Sequence, residues 1–219
     1  MRVLKAFAAL LSYPRIELQE AIADIDAAIS DERALRRKDR DALQPLLDEL
    51  RNTELLDLQE RYVALFDRGR ATSLNLYEHV HGDSRDRGQA MVDLMNIYRR
   101  GGLELDTCEL PDHLPVLLEY LSTRPAGEVR EMLGDCSHLL RSIGDALAQR
   151  KSPYATVLSA LLGLAGERGL DLERTEAVAD DNATLDQEWV EQPVLFGLGH
   201  GDARQGASVQ PVRFVRKNA

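Results

Sequence analysis

Eight stretches of this chain carry large apolar residues at alternating three- and four-residue spacings, which limits the fold more than any other feature. A period near 3.6 residues is one buried face of an α-helix, whereas a half-buried strand needs apolar residues at every second position. Val3, Leu4, Phe7, Leu10 and Leu11 form the first stripe, which Pro14 stops. Leu18, Ile22, Ile25 and Ile29 form the second, and Leu43, Leu46, Leu47 and Leu50 the third, with Asp39 or Asp41 in place to cap it. A fourth runs from Thr53 through Leu58, Tyr62 and Phe66.

Later stripes follow the same rule. Ala90, Met91, Leu94, Met95 and Tyr98 precede the Gly101-Gly102 pair, with Asp83 or Ser84 as the cap. Pro111 is expected to seed a helix with Leu114, Leu117, Leu118 and Leu121 on its core face. Pro125 is expected to seed the longest helix, from Val129 through Met132, Cys136, Leu139 and Ile143 to Leu147. Ser152-Pro153 opens a last one through Val157, Leu158, Leu161 and Leu162. Aromatics are only 5% of the residues, and no hairpin signal is present. The expected fold is all-α: a single bundle of about eight helices over residues 1–170, with a flexible C-terminal tail over 171–219.

Charge divides along the same boundary. The chain carries 27 basic and 37 acidic residues, a net of −10, which argues against nucleic acid as a partner. Residues 171–192 hold eight acids against Arg174, residues 193–219 are net basic, and the body keeps −6. The N-terminal run reads as a mature helix rather than a signal peptide, because Lys5 interrupts it and no small-residue cleavage site follows. The longest uncharged stretch, 152–166, falls short of the roughly 20 apolar residues a membrane span needs, so a cytoplasmic protein is expected. The two cysteines, Cys108 and Cys136, have no short-spaced partner and read as reduced thiols.

Two segments break the periodicity: 67–83, with two glycines and two histidines, and the run LELDTCELPDHLP. Irregular stretches of this length inside a helical body usually serve a function. His79, His81 and Asp83, with Asp112 and His113, could in principle ligate a hydrolytic metal. Satisfied hydrogen bonds within the loop are the simpler use of the same side chains. Arg68, Arg70, Arg85 and Arg87 suit phosphate or carboxylate, yet no glycine-rich phosphate loop precedes a helix here. Met91 and Met95 read as core. No nucleophile elbow, P-loop or dinucleotide fingerprint is present. An acidic helical body with grooves and polar loops instead suits capture of a basic amphipathic peptide.

The run FDRGRATSLNLYEHVHGDSRDRGQAMVDLMNIY (66–98), followed by ELPDHLPVLLEYL (109–121), resembles the signature of the NarJ family, assembly chaperones of respiratory nitrate reductase within the twin-arginine-leader chaperone superfamily. Tyr77 stands where that family commonly has Phe, and Asp83 where it commonly has Glu. The resemblance implies an all-helical, non-catalytic protein without a cofactor of its own. Its implied partner is the apo catalytic (alpha) subunit, bound through its N-terminal segment in the cytoplasm. The family supports molybdenum cofactor insertion and delays membrane docking until maturation is complete.

The matched motifs place client contacts on Tyr77, Glu78, His79, His81, Arg85, Arg87, Gln89, Asp112 and His113. Leu114, Leu117 and Leu118 are expected in the floor of a peptide groove, with Glu78, Asp112 and Glu119 at its rim.

Overall fold

The described residues of this computed structural model, 1–81, 85–105 and 109–172, form ten α-helices. Side chains of His81 and Arg85 lie outside that description, and so do the caps expected at Asp83 and Ser84 and the tail beyond 172. Helices α1 (Arg2–Leu10), α2 (Ile16–Asp31) and α3 (Arg37–Asn52) each bury the stripe the periodicity marks. Pro45 lies within α3, where it forfeits one hydrogen bond, and the buried leucines Leu43, Leu46, Leu47 and Leu50 hold the helix through it. No helix among the described residues is long and apolar enough to cross a membrane.

Asp39 does not cap α3. The helix starts two residues before it, and its carboxylate is 6% exposed and gripped by both prongs of Arg36 at 2.6 and 3.1 Å. Such charge-assisted pairing offsets much of the cost of burying a carboxylate. A Cβ at Gly163 would stand 3.0 Å from Arg36 Nη2, so the missing side chain lets α10 (Ala155–Ala165) close onto the pair.

Helix α4 (Leu55–Tyr62) continues into a π turn, Val63–Asp67, which buries Phe66. The aromatic chain Tyr13–Tyr62–Phe66–Tyr154, with centroids 5.6, 4.7 and 5.2 Å apart, fastens this turn to the α1–α2 corner and to α10. Tyr62 donates its hydroxyl to Leu11 O at 2.8 Å. The described part of the irregular stretch, 67–81, is a broken helix: a 3-10 turn Arg70–Thr72, then the short α5 (Leu76–His81).

Helix α6 (Arg85–Arg100) buries Leu94 and Tyr98 near its C-terminal end. Helix α7 starts at Leu114 and runs to Ser122, three residues later than a seed at Pro111 implies, because 111–113 turn to meet the 74–76 segment and Pro115 supplies the first-turn proline. The expected longest helix is two, α8 (Ala126–Asp135) and α9 (Ser137–Gln149), parted at Cys136, whose thiol donates to Met132 O at 3.3 Å. One turn residue bends the axis without shifting the buried stripe out of phase, so periodicity does not reveal the break. Helix α1 packs on α7 and α2, and α10 packs on α9, α8 and α3.

Gly101 ends α6 against the Tyr120 ring: a Cβ there would stand 2.6 Å from Tyr120 Cε2. That ring cannot yield easily, because its hydroxyl donates to Glu128 at 3.1 Å and Arg124 lies over its face. Gly101→Ala should therefore lose about 1–3 kcal/mol in urea unfolding through overpacking. The same substitution should cost less in a Tyr120→Leu background.

Candidate functional site

The two sequence motifs meet as one wall. Leu114 N–H donates to Leu74 O at 2.9 Å and Leu76 N–H to Asp112 O at 3.1 Å, around an isolated antiparallel bridge between Asn75 and His113. The Asp112 carboxylate accepts the Tyr77 amide at 2.9 Å through Oδ2. Asp112 thus satisfies two successive amides of the first turn of α5, as a cap residue would, but from 35 positions away. Tyr98 donates to Pro111 O at 2.8 Å and fixes the approach to this turn. Burial keeps the Tyr98 hydroxyl protonated by raising its pKa far above the ordinary phenol value.

Asp112 is fully buried, so it does not stand at an open rim. Burial raises its carboxyl above the ordinary 3.8, opposed by the Tyr77 amide and by the Arg87 guanidinium. Oδ1 has no hydrogen-bond partner among the described residues. Leu114, Leu117 and Leu118, at 0, 3 and 0% exposure, lie in the core beneath the surface and do not themselves face solvent as a groove floor.

Other residues of the motif serve the wall. Ser73 donates its hydroxyl to Glu78 Oε2, Arg70 donates to Glu78 O at 2.8 Å, and His79 Nε2 donates to Ser73 O at 2.8 Å. Arg150, just past the end of α9, donates to Thr72 Oγ1 at 2.8 Å, and Thr72 in turn donates to Leu65 O. On α6, Gln89 donates to Asp93 at 3.0 Å, while Arg87 shares the inward stripe of Leu94 and Tyr98. His81 ends α5 and Arg85 begins α6. The metal alternative through His79, His81, Asp112 and His113 has no support: His79 and Asp112 are held in separate hydrogen bonds, and the described residues bring no three potential ligands together.

On the other edge of the 109–115 segment lies a groove of about 840 Å³ between the α1–α2 corner, the end of the π turn and the start of α7. Glu17, Asp67, Glu109 and Glu119 line it against one basic residue, Arg15, and its apolar lining includes Tyr13, Leu18, Pro115 and Val116. Tyr13 and the adjacent Ile16 are 43% and 51% exposed, unusual for large apolar side chains.

His113 lines the groove with Nδ1 3.6 Å from Glu109, and burial holds its pKa below the ordinary 6.5, so the ring is neutral at pH 7. His113 and Glu119 are thus the predicted residues brought to this groove, which Tyr77, Glu78, His79, Arg87 and Gln89 do not line. Sequence reasoning did not single out Tyr13, Glu17, Asp67 and Glu109, although an aromatic before Pro14 and outside the apolar stripe is a weak signal of exposure.

Asp112 can be tested without touching the groove. Asp112→Asn keeps an acceptor for the Tyr77 amide and removes a buried charge, so at pH 7 it should match or exceed the wild type in thermal stability. Asp112→Ala leaves that amide unpaired and should cost about 1–3 kcal/mol. Because the folded-state pKa of the acid is raised, the native state binds its proton more tightly and the advantage of Asn over Asp should grow as pH rises above 3.8. Melting curves of the three proteins between pH 4 and 8 measure this.

Comparison with known proteins agrees with the fold and the motifs. The family model described as nitrate reductase delta subunit matches residues 17–160. The chain is 42% identical over 212 residues to the nitrate reductase molybdenum cofactor assembly chaperone NarJ of Escherichia coli strain K12, covering 94% of this chain and 89% of that one. It is also 42% identical over 201 residues to the probable nitrate reductase molybdenum cofactor assembly chaperone NarW of the same strain, covering 90% and 84%. A crystal structure of a putative redox enzyme maturation protein from Archaeoglobus fulgidus shares the fold, with a TM-score of 0.53, 23% identity, and coverage of 72% of this chain and 88% of that one. With the family model spanning most of its helical body and close relatives spanning nearly its whole length, the chain belongs to the nitrate reductase delta subunit family of NarJ-type assembly chaperones.

Proposed function

We propose that this chain is a non-catalytic cytoplasmic chaperone that binds the N-terminal segment of the apo catalytic subunit of respiratory nitrate reductase. It holds that subunit open for molybdenum cofactor insertion and delays membrane docking until insertion is complete. The observation that carries the binding mode is the acid-lined groove with an apolar floor beside His113 and Glu119. A basic amphipathic segment fits it on both counts: the four carboxylates raise the encounter rate, and Tyr13, Leu18 and Val116 take its apolar face.

Within this reading Tyr77, Glu78 and His79 act through the wall they build, which fixes the 109–115 edge of the groove. Asp112 and the leucines Leu114, Leu117 and Leu118 support the same edge from below. The molybdenum cofactor is the client's cargo, and no residue of this chain is assigned to hold it.

Calorimetry and stopped-flow binding with a synthetic peptide of the catalytic subunit's N-terminal segment test the assignment. Exposed charge pairs contribute about 0.2–1 kcal/mol each, so Glu17→Gln, Asp67→Asn and Glu119→Gln together should weaken binding by about 1–2 kcal/mol. Most of the loss should fall in the association rate and shrink at high salt. Undiminished association at low salt would remove the groove from the account. Separately, the apo catalytic subunit should be the main protein retained by this chain from nitrate-respiring cells.

A further inference from the structure

A second cleft of about 420 Å³ lies across α7 from the acidic groove, and Val116 and Glu119 line both. Its lining includes Tyr98, Tyr120, Leu105 and Val116, with Leu103 beside them 38% exposed. The two tyrosine rings pack at 4.8 Å between centroids, and both hydroxyls are already engaged, with Pro111 O and with Glu128. The rings, only 3% and 5% exposed, form the fixed base of the cleft, and its open apolar surface comes from Leu103 with the half-buried Leu105 and Val116. Such a preformed surface loses little entropy on binding. Glu104 and Glu119 against Lys5 leave the charged lining net acidic, as in the neighbouring groove.

We infer that this cleft is a second subsite for the same client segment, which crosses α7 over Val116 and Glu119 and seats one large apolar side chain against Leu103, Leu105 and Val116, above the base formed by the Tyr98 and Tyr120 rings. This rests on the client reading given above. Val116 and Glu119 are three positions apart on α7, about one helical turn, so the two clefts lie side by side. Residues three or four apart on a client helix are also about one turn apart. The segment thus needs a basic residue for the acidic groove and an aliphatic or aromatic residue three or four positions away for this cleft. A segment that is only basic, or only apolar, satisfies half of the site.

The test is calorimetry with the same N-terminal peptide on the full chain, using Leu103→Glu and, to fill the cleft from its rim, Thr123→Trp. Both positions are exposed, so both variants should fold, which melting curves check before binding is measured. Burying a leucine-sized side chain corresponds to about tenfold to a hundredfold in affinity, and each variant should lose about that much. One apolar residue of the peptide, replaced by Ala, should weaken binding to the wild type yet cause little further loss in Leu103→Glu. That residue should lie three or four positions from the basic residue whose replacement couples to Glu119→Gln.

Wild-type affinity in both folded cleft variants, while the Glu17, Asp67 and Glu119 substitutions still weaken binding, would overturn the subsite and leave the acidic groove standing. A change of mass in Leu103→Glu by light scattering, without loss of peptide affinity, would assign the cleft to a second copy of the chain and also overturn it. No binding of the peptide to the wild type would remove the client reading and this subsite together.

Discussion

Residues 74–76 and 112–114, 36 to 40 positions apart, exchange backbone hydrogen bonds, and the geometry of the acidic groove's edge depends on that exchange. A helix as short as α5 cannot sustain itself, since nucleation fixes several residues for each bond gained. Here its first amides are satisfied by the carbonyl and the carboxylate of Asp112, and the Leu74 carbonyl by the first amide of α7. Each bond is worth only about 0.5–1.5 kcal/mol net, but leaving any of these buried groups unmade costs more than making it gains. The pairing is therefore specific, and it sets where Glu109, His113 and Glu119 stand.

From that constraint the charge pattern acquires a location. A net charge of −10 is only a general property of the chain, whereas four carboxylates against one arginine around a groove of about 840 Å³ is a local field. Tyr13, Leu18 and Val116, and Leu103 and Leu105 in the cleft beyond α7, provide apolar surface beside it. The combination of steering charge with a rigid apolar surface is what a basic amphipathic segment requires. It also explains why matched motifs so rich in polar residues have several of them turned inward: Glu78, His79 and Asp112 shape the wall on which the exposed groups act.

The helical architecture was legible because period and burial coincide: Leu43, Leu46, Leu47 and Leu50, or Val157, Leu158, Leu161 and Leu162, are buried as their spacing demands. The motifs at 66–98 and 109–121 were also legible as a family signature. Boundaries were less so. The division at Cys136 preserves the phase of the stripe, and the late start of α7 follows from a long-range pairing that local rules for proline do not contain. Asp39 satisfies the sequence rule for a cap, yet its carboxylate is drawn into the core by Arg36. Which acids converge was the least legible feature, because Glu17 and Glu119 meet only once α1, α2 and α7 have packed.

The central claim is that the client segment lies in the acidic groove and over α7, and amide hydrogen exchange with and without the N-terminal peptide reads this most directly. The account predicts slowed exchange at residues 13–18 and 109–119, extending to 103–105, with the exposed face of α6 unchanged. Protection confined to α5 and α6, with none at 109–119, would contradict it.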